Sequence, residues 1–244
     1  MVIRRCTLFL SLYRPWLAEQ DDRNILPPWN EILRQDPVVD LLLRPNNIEV
    51  TVKDFQPLRE QFSVLAAQWR EHRVSELREL VLASPEFTGK VPEAVDPLSL
   101  AAVVFDCDGC IRSLGYMHML PPLYPAILAH RCLCRPQQEI EDSEDPLCRA
   151  IAAIASVGGH PTCHQRWETR RLSIGKLHKR AVAVIKACGK DPLTTTRAEM
   201  DGLDVRFWCE TCDENAKGEE RAVMRWRDTV GVASMHMIFL PKHF

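Results

Sequence analysis

Apolar residues recur at Leu58, Phe62, Leu65, Trp69, Leu77 and Leu80, mostly at steps of three and four, and predict one long amphipathic helix from Asp54 onward. Pro57 would sit among the first turn's orphan donors, where its missing N–H costs little. A stripe of this kind packs into a core rather than holding a cofactor. After Ser173 a second stripe (Ile174, Leu177, Ala181, Val184, Ile185, Cys188) lines one helix face, with Gly189 as its stop. "PLCRAIAAIAS" predicts a shorter helix ending at Gly158-Gly159. The first 50 residues read as short helices cut by prolines: "PWNEILRQ" after Pro27-Pro28, then "DPVVDLLLR", with Asp36 and Pro37 as cap and first-turn residue. Only "IEVTV" and the residues around the cysteine pairs invite a strand. The pattern predicts a mainly α fold.

Composition narrows the class. Of 244 residues, 46% are hydrophobic and 26% charged, ordinary for a globular chain with a sizeable core. A formal net charge of −2 gives no global field to draw the chain to a polyanion. No stretch approaches the roughly 20 apolar residues of a membrane span. The N-terminal "MVIRRCTLFLSLYRPW" has a short apolar run from Cys6 to Tyr13, but Arg14 interrupts it before any cleavage pattern, so no leader is expected. Of ten cysteines, four stand in two C-x2-C pairs, a spacing suited to metal ligation in a reduced intracellular protein of the cytoplasm or nucleus. Cys6, Cys148 and Cys188 read as packing residues.

The pairs belong to a repeat. "VVFDCDGC" (103 to 110) and "VRFWCETC" (205 to 212) share V-x-F-x-C-x-x-C, and the aspartates of the first copy are absent from the second. Upstream of the first, "DPLSLAAVVF" opens with Asp96 as cap and Pro97 in the first helical position. Upstream of the second, "TRAEMDGLDVRF" has Thr196 and Glu199 in capping-box spacing. Downstream, "YPAILAHRCLC" reaches His130 and "AVMRWRDTVGVASMH" reaches His236. Each unit thus reads as helix, Cys-x-x-Cys turn, loop, helix, histidine. Thiolates and imidazole are the ligands of a structural tetrahedral Zn2+. The first unit offers Cys107, Cys110 and His130, with Cys134 as fourth ligand, or Cys132 if the helix has already ended. The second offers Cys209, Cys212, His236 and His243, and one four-thiolate site shared by both pairs is the alternative arrangement. "GGHPTCHQ", with His160, Cys163 and His164, reads as a loop outside the set.

Residues 101 to 110, "AAVVFDCDGC", also resemble the first motif of the haloacid dehalogenase superfamily of phosphohydrolases. That resemblance would make Asp106 the nucleophile and Asp108 the general acid, with Mg2+ bridging carboxylate and phosphate. It needs the apolar run to be a buried parallel strand, whereas Asp-Pro-Leu ahead of it signals a helix start. Ser156, one of Lys176, Lys179 and Lys186, and an acidic pair from Glu141 to Asp145 or Asp201 to Asp204 would have to complete the set. Neither acidic cluster follows an apolar strand, and the non-enzymatic reading is preferred.

The phrases "DFQPLREQF", "WREHRVSEL", "DPLSLAAVVFDCDGC", "YPAILAHRC", "VIKACGKDPLTTTRAEMDGLDVRFWCETC" and "VMRWRD" resemble a group of uncharacterised fungal proteins of basidiomycete type with cysteine-histidine sites. Some carry a degenerate F-box near the N-terminus, which implies a substrate adaptor of a ubiquitin ligase, although the first 50 residues here have no Leu-Pro-x-Glu start. The group carries a histidine a few residues after the tryptophan-arginine pair, where this chain has Val232.

The expected organisation is a helical N-terminal region over 1–95 with the long amphipathic helix, a first zinc-binding unit over 96–134, a helical insert over 135–195 and a second zinc-binding unit over 196–244. Its expected function is non-catalytic interaction with another macromolecule, foremost a protein. Nucleic-acid binding through Arg166, Arg170, Arg171, Lys176, Lys179 and Arg180 is the rival, against the simpler reading of a solvated helix face.

Overall fold

The computed structural model describes residues 1–21, 25–111, 123–134, 145–157, 167–209, 223–231 and 239–242. These residues are mainly helical, with few and short strands. The chain divides into two compact units, residues 1–75 with 128–169, and residues 76–127 with 170–244.

The first unit is built on helices: α1 (Val2–Ala18), α2 (Trp29–Ile32), α3 (Asp36–Leu42), α4 (Val52–Ala83) as far as Ser75, and α6 (Pro146–Val157). The run that faintly suggests a leader is a core helix face, for Cys6, Phe9, Leu10, Tyr13 and Trp16 of α1 are buried. Phe9, Tyr13 and Trp16 meet Phe62 of α4 edge-on at 5.4–5.5 Å, and Phe55 joins Phe9 at 5.8 Å. Such pairs add about 0.5–1.5 kcal/mol each beyond their area burial. Arg5 is buried in the same face because the carbonyls around the end of α3 need donors. Its guanidinium donates to Leu42 O (3.1 Å), Pro45 O (2.9 Å) and Ile48 O (2.8 Å), and also to Arg44 O.

Two corrections concern α4. "IEVTV" is not a strand: its last residue opens the helix, and the Asp54 carboxylate accepts from both the Thr51 N–H and hydroxyl at 2.8 Å, closing the N-terminus. Pro57 consequently lies inside the helix, not in its first turn. The stripe itself packs as expected, with Leu58, Phe62, Leu65, Trp69 and Leu77 buried.

A buried carboxylate organises the other side of this unit. Glu31 accepts from Trp69 Nε1 (3.0 Å) and Trp167 N (2.8 Å), and Arg73 approaches it at 3.6 Å while lying over the Trp167 ring. Every lone pair so engaged offsets the cost of keeping the charge out of water.

The second unit holds the rest of α4, β1 (Asp106–Cys107), α5 (Asp108–Ile111), β2 (Leu172–Ser173), α7 (Lys176–Ala187), α8 (Arg197–Gly202), β3 (Arg206–Cys209), β4 (Met224–Arg225), α9 (Trp226–Gly231) and β5 (Phe239–Lys242). β1 and β2 pair antiparallel, and β4-β3-β5 form an antiparallel sheet. α7 buries Leu177, Ala181, Val184 and Ile185. It ends on Gly189 at φ +69, where Gly189 N donates to Lys186 O and Lys190 N to Ile185 O, the paired bonds of a Schellman stop. α8 carries the expected capping box between Thr196 and Glu199.

Candidate metal centre

The apolar run that leads into the first cysteine pair is wholly buried, Leu100 to Phe105 each having no exposed surface. The helix expected there is a single 3-10 turn, Pro97–Ser99, with the Asp96 side chain accepting from Leu98 N. Beyond it the chain is irregular until β1. Ala101 N donates to Thr195 O (2.9 Å), and the His178 ring bonds Ala102 O (2.8 Å) while meeting Phe87 edge-on.

Cys107 ends β1, opposite Leu172, and Cys110 lies in the short helix α5. The Cys-x-x-Cys turn is therefore a strand-to-helix corner, which brings sulfurs three residues apart to one side. Its stiffness comes partly from the preceding residue. Asp106, 4% exposed, turns its carboxylate to the N-terminus of α7, where Oδ1 accepts from Leu177 N at 3.3 Å. Gly175 leaves room for that carboxylate: a Cβ there would lie 2.4 Å from Asp106 Oδ2.

The other ligands come from the stretch after Pro125. The α-helix expected in "YPAILAHRCLC" is two 3-10 turns, Ala126–Ala129 and Arg131–Cys134, with His130 at the break. Sequence alone left Cys134 and Cys132 open, the choice depending on whether the helix had ended. The continuous helix is not formed, and among the side chains described Cys132 joins the cluster. Sγ of Cys107, Cys110 and Cys132 and a ring nitrogen of His130 all lie within 4.8 Å of one another. The three cysteines are buried and His130 is half-buried. All three sulfurs are thiols rather than disulfides.

Packing alone explains buried cysteines, but it gives no reason for three sulfurs and an imidazole to converge. A tetrahedral zinc with Zn–S bonds near 2.3 Å sets its sulfurs about 3.8 Å apart, so a contraction of about 1 Å would close the cage. The donor set can hold a metal ion, and soft thiolates with imidazole suit zinc above magnesium or calcium.

The second copy is described only in part. Val205 and Phe207 are buried as Val103 and Phe105 are, and Cys209 ends β3 at the position facing Phe239 of β5, so the shared residues of the repeat take similar backbone roles. The side chains of Cys209 and Cys134, and the residues Cys212, His236 and His243, lie outside the described residues, as do His160, Cys163 and His164. Arg170, Lys176 and Lys179 are exposed, and Arg166 lies outside the description.

Sequence reasoning missed the Glu31 network and the cap made by Asp106, whose partners stand up to 136 residues away and leave no local signal. The strand to which Asp106 belongs is two residues long and antiparallel, unlike the buried parallel strand that a phosphohydrolase motif requires. Among the described residues no helix is long and apolar enough to cross a membrane. Comparison of the chain with family models, with curated proteins and with solved structures yields no match.

Proposed function

We propose that the chain is a non-catalytic zinc protein in which Cys107, Cys110, His130 and Cys132 hold a structural Zn2+, and that the metal-stabilised region serves as an interaction module for another protein. The convergence of these four side chains carries the reading. Four protein ligands fill a tetrahedral shell and leave no position for a reactive water, which distinguishes structural from catalytic zinc. The engagement of Asp106 with Leu177 N supports its role as a cap rather than as a nucleophile. By the repeat, Cys209 and Cys212 with His236 and His243 form a second site of the same kind.

Elemental analysis of the purified full chain tests this. About two zinc ions per chain are expected for the wild type and about one for Cys107→Ser, Cys132→Ser or Cys209→Ser. Cobalt in place of zinc should show a thiolate charge-transfer band that weakens in each variant. Zinc-free protein without such a band sinks the reading, as would a phosphatase activity abolished by Asp106→Asn. Nucleic-acid binding has no observation in its favour beyond exposed basic residues, and salt-dependent affinity lost with Arg170→Ala would be its signature.

A further inference from the structure

The pairing of β3 with β4 sets Arg206 directly opposite Arg225. Directly opposed residues of an antiparallel pair share a face with Cβ atoms about 4.5–5.5 Å apart, and like charges so placed destabilise the pair. A sheet does not gain from such a rung on its own account. Beside it opens a cleft of about 350 Å³ to which Arg206, Arg225 and Arg227 all contribute, at the small end of ligand sites.

The charges in the cleft are unequally compensated. Asp204 pairs with Arg206, and Asp201 accepts from Arg227 Nε (3.0 Å) and from Trp226 Nε1 (2.8 Å). Arg225 is exposed, and among the described residues its guanidinium has no carboxylate partner. Asp204 adopts φ +47, a conformation uncommon outside glycine and tolerated by aspartate. Met200 and Val205, both buried, give the cleft an apolar wall.

We propose that this cleft binds a small polyhydroxylated phosphate ester, a sugar phosphate, with its phosphoryl group against Arg225 and Arg206. Guanidinium forks match phosphate oxygens in bidentate geometry. The carboxylates of Asp201 and Asp204 accept from hydroxyls, and Met200 and Val205 receive the carbon skeleton. A bare oxyanion would leave most of the space unfilled and face two carboxylates without compensation, so the hydroxylated part is needed. The site shares no residue with the metal centre at Cys107, and either can fail without the other.

Isothermal titration of the full chain with ribose 5-phosphate, ribose and inorganic phosphate at low salt tests it. Ribose 5-phosphate should saturate the protein, with inorganic phosphate at least about tenfold weaker and ribose silent. Arg225→Gln and Arg206→Gln should each weaken binding roughly ten- to hundredfold, with unchanged far-UV circular dichroism. Lys190→Gln, outside the cleft, should bind as wild type. The proposal is overturned if no saturable binding occurs up to about 10 mM ribose 5-phosphate, if inorganic phosphate binds as tightly, or if Arg225→Gln has no effect.

Discussion

Replacing Gly175 by alanine adds one methyl group at the point where the Cys-x-x-Cys corner is fixed. The new Cβ would stand 2.4 Å from Asp106 Oδ2 and 3.6 Å from its Cγ. Carbon and oxygen normally approach to about 3.3 Å, so roughly 0.9 Å must be given up. The carboxylate has nowhere cheap to go, being 4% exposed and bonded to Leu177 N. Losing that cap costs about 1 kcal/mol, and forcing a methyl into a filled space about 1–3 kcal/mol, giving a destabilisation of about 2–4 kcal/mol. Asp106→Ala alone removes the cap but also the obstruction, so Gly175→Ala on that background should cost much less, with a coupling of at least about 1 kcal/mol. Urea unfolding followed by circular dichroism reads all four members of the cycle. The same substitution should reduce cobalt affinity, because Asp106 precedes Cys107. A Gly175→Ala protein within about 0.5 kcal/mol of wild type, or strict additivity in the cycle, would refute the reasoning.

Glu31→Ala leaves Trp69 Nε1, Trp167 N and Arg73 without their shared acceptor and should cost about 3–5 kcal/mol in thermal or urea unfolding; Glu31→Gln keeps an acceptor and should cost less. The hydrogen bond from the Arg78 guanidinium holds the Asp96 carboxyl below the usual carboxylate range. A pKa depressed by folding gives stability that is complete above the unfolded value of about 3.9 and is lost as pH falls through the folded one. Asp96→Asn should therefore flatten the acid limb of the stability profile below about pH 4, and an unchanged limb would discount the pair. Burial pushes the Cys6 thiol up to about 12, so at pH 8 a thiol reagent should label Cys6 only after unfolding; labelling of the native protein, read by peptide mass mapping, would contradict its burial.

The parts of the fold legible in the sequence are those with local causes. The stripe from Leu58 to Leu77, the capping box of Thr196 and Glu199 and the stop at Gly189 depend on residues within a few turns, and each appears where expected. "IEVTV" misleads because its alternation is real but its last residues serve the helix: Thr51 closes the N-terminus through Asp54, and propensity yields to that bond. The residues from Leu98 to Phe105 mislead in another way. A cap followed by apolar residues predicts a helix, but with these residues almost wholly buried there is no polar face for a surface helix, and the chain turns once and runs on irregularly. At the candidate site the donor types and spacing were legible, whereas the convergence of Cys132 with Cys107, Cys110 and His130 was not, because it depends on helical structure breaking at His130.

That irregularity bears on why a metal would be needed. Buried loops are costly when their backbone groups go unpaired. Between Ser99 and Asp106 the bonds among the described residues include Ala101 N to Thr195 O, Val103 N to Leu100 O and the His178 ring to Ala102 O. The segment bearing His130 and Cys132 is two single 3-10 turns, in which Leu133 N reaches back to His130 O. Neither stretch is part of an α-helix such as α1 or α4, yet the first leads into buried Cys107 and Cys110 and the second carries buried Cys132. A structural zinc contributes on the order of 10–16 kcal/mol in small domains, comparable to the net stability of a domain. On the proposed reading, the ligands at the strand-to-helix corner and at the pair of 3-10 turns would convert that energy into fixed backbone positions. Chelation should accordingly lower the melting temperature of the full chain far more than any single substitution outside the site, and a melting curve indifferent to chelator would mean that packing alone holds these loops.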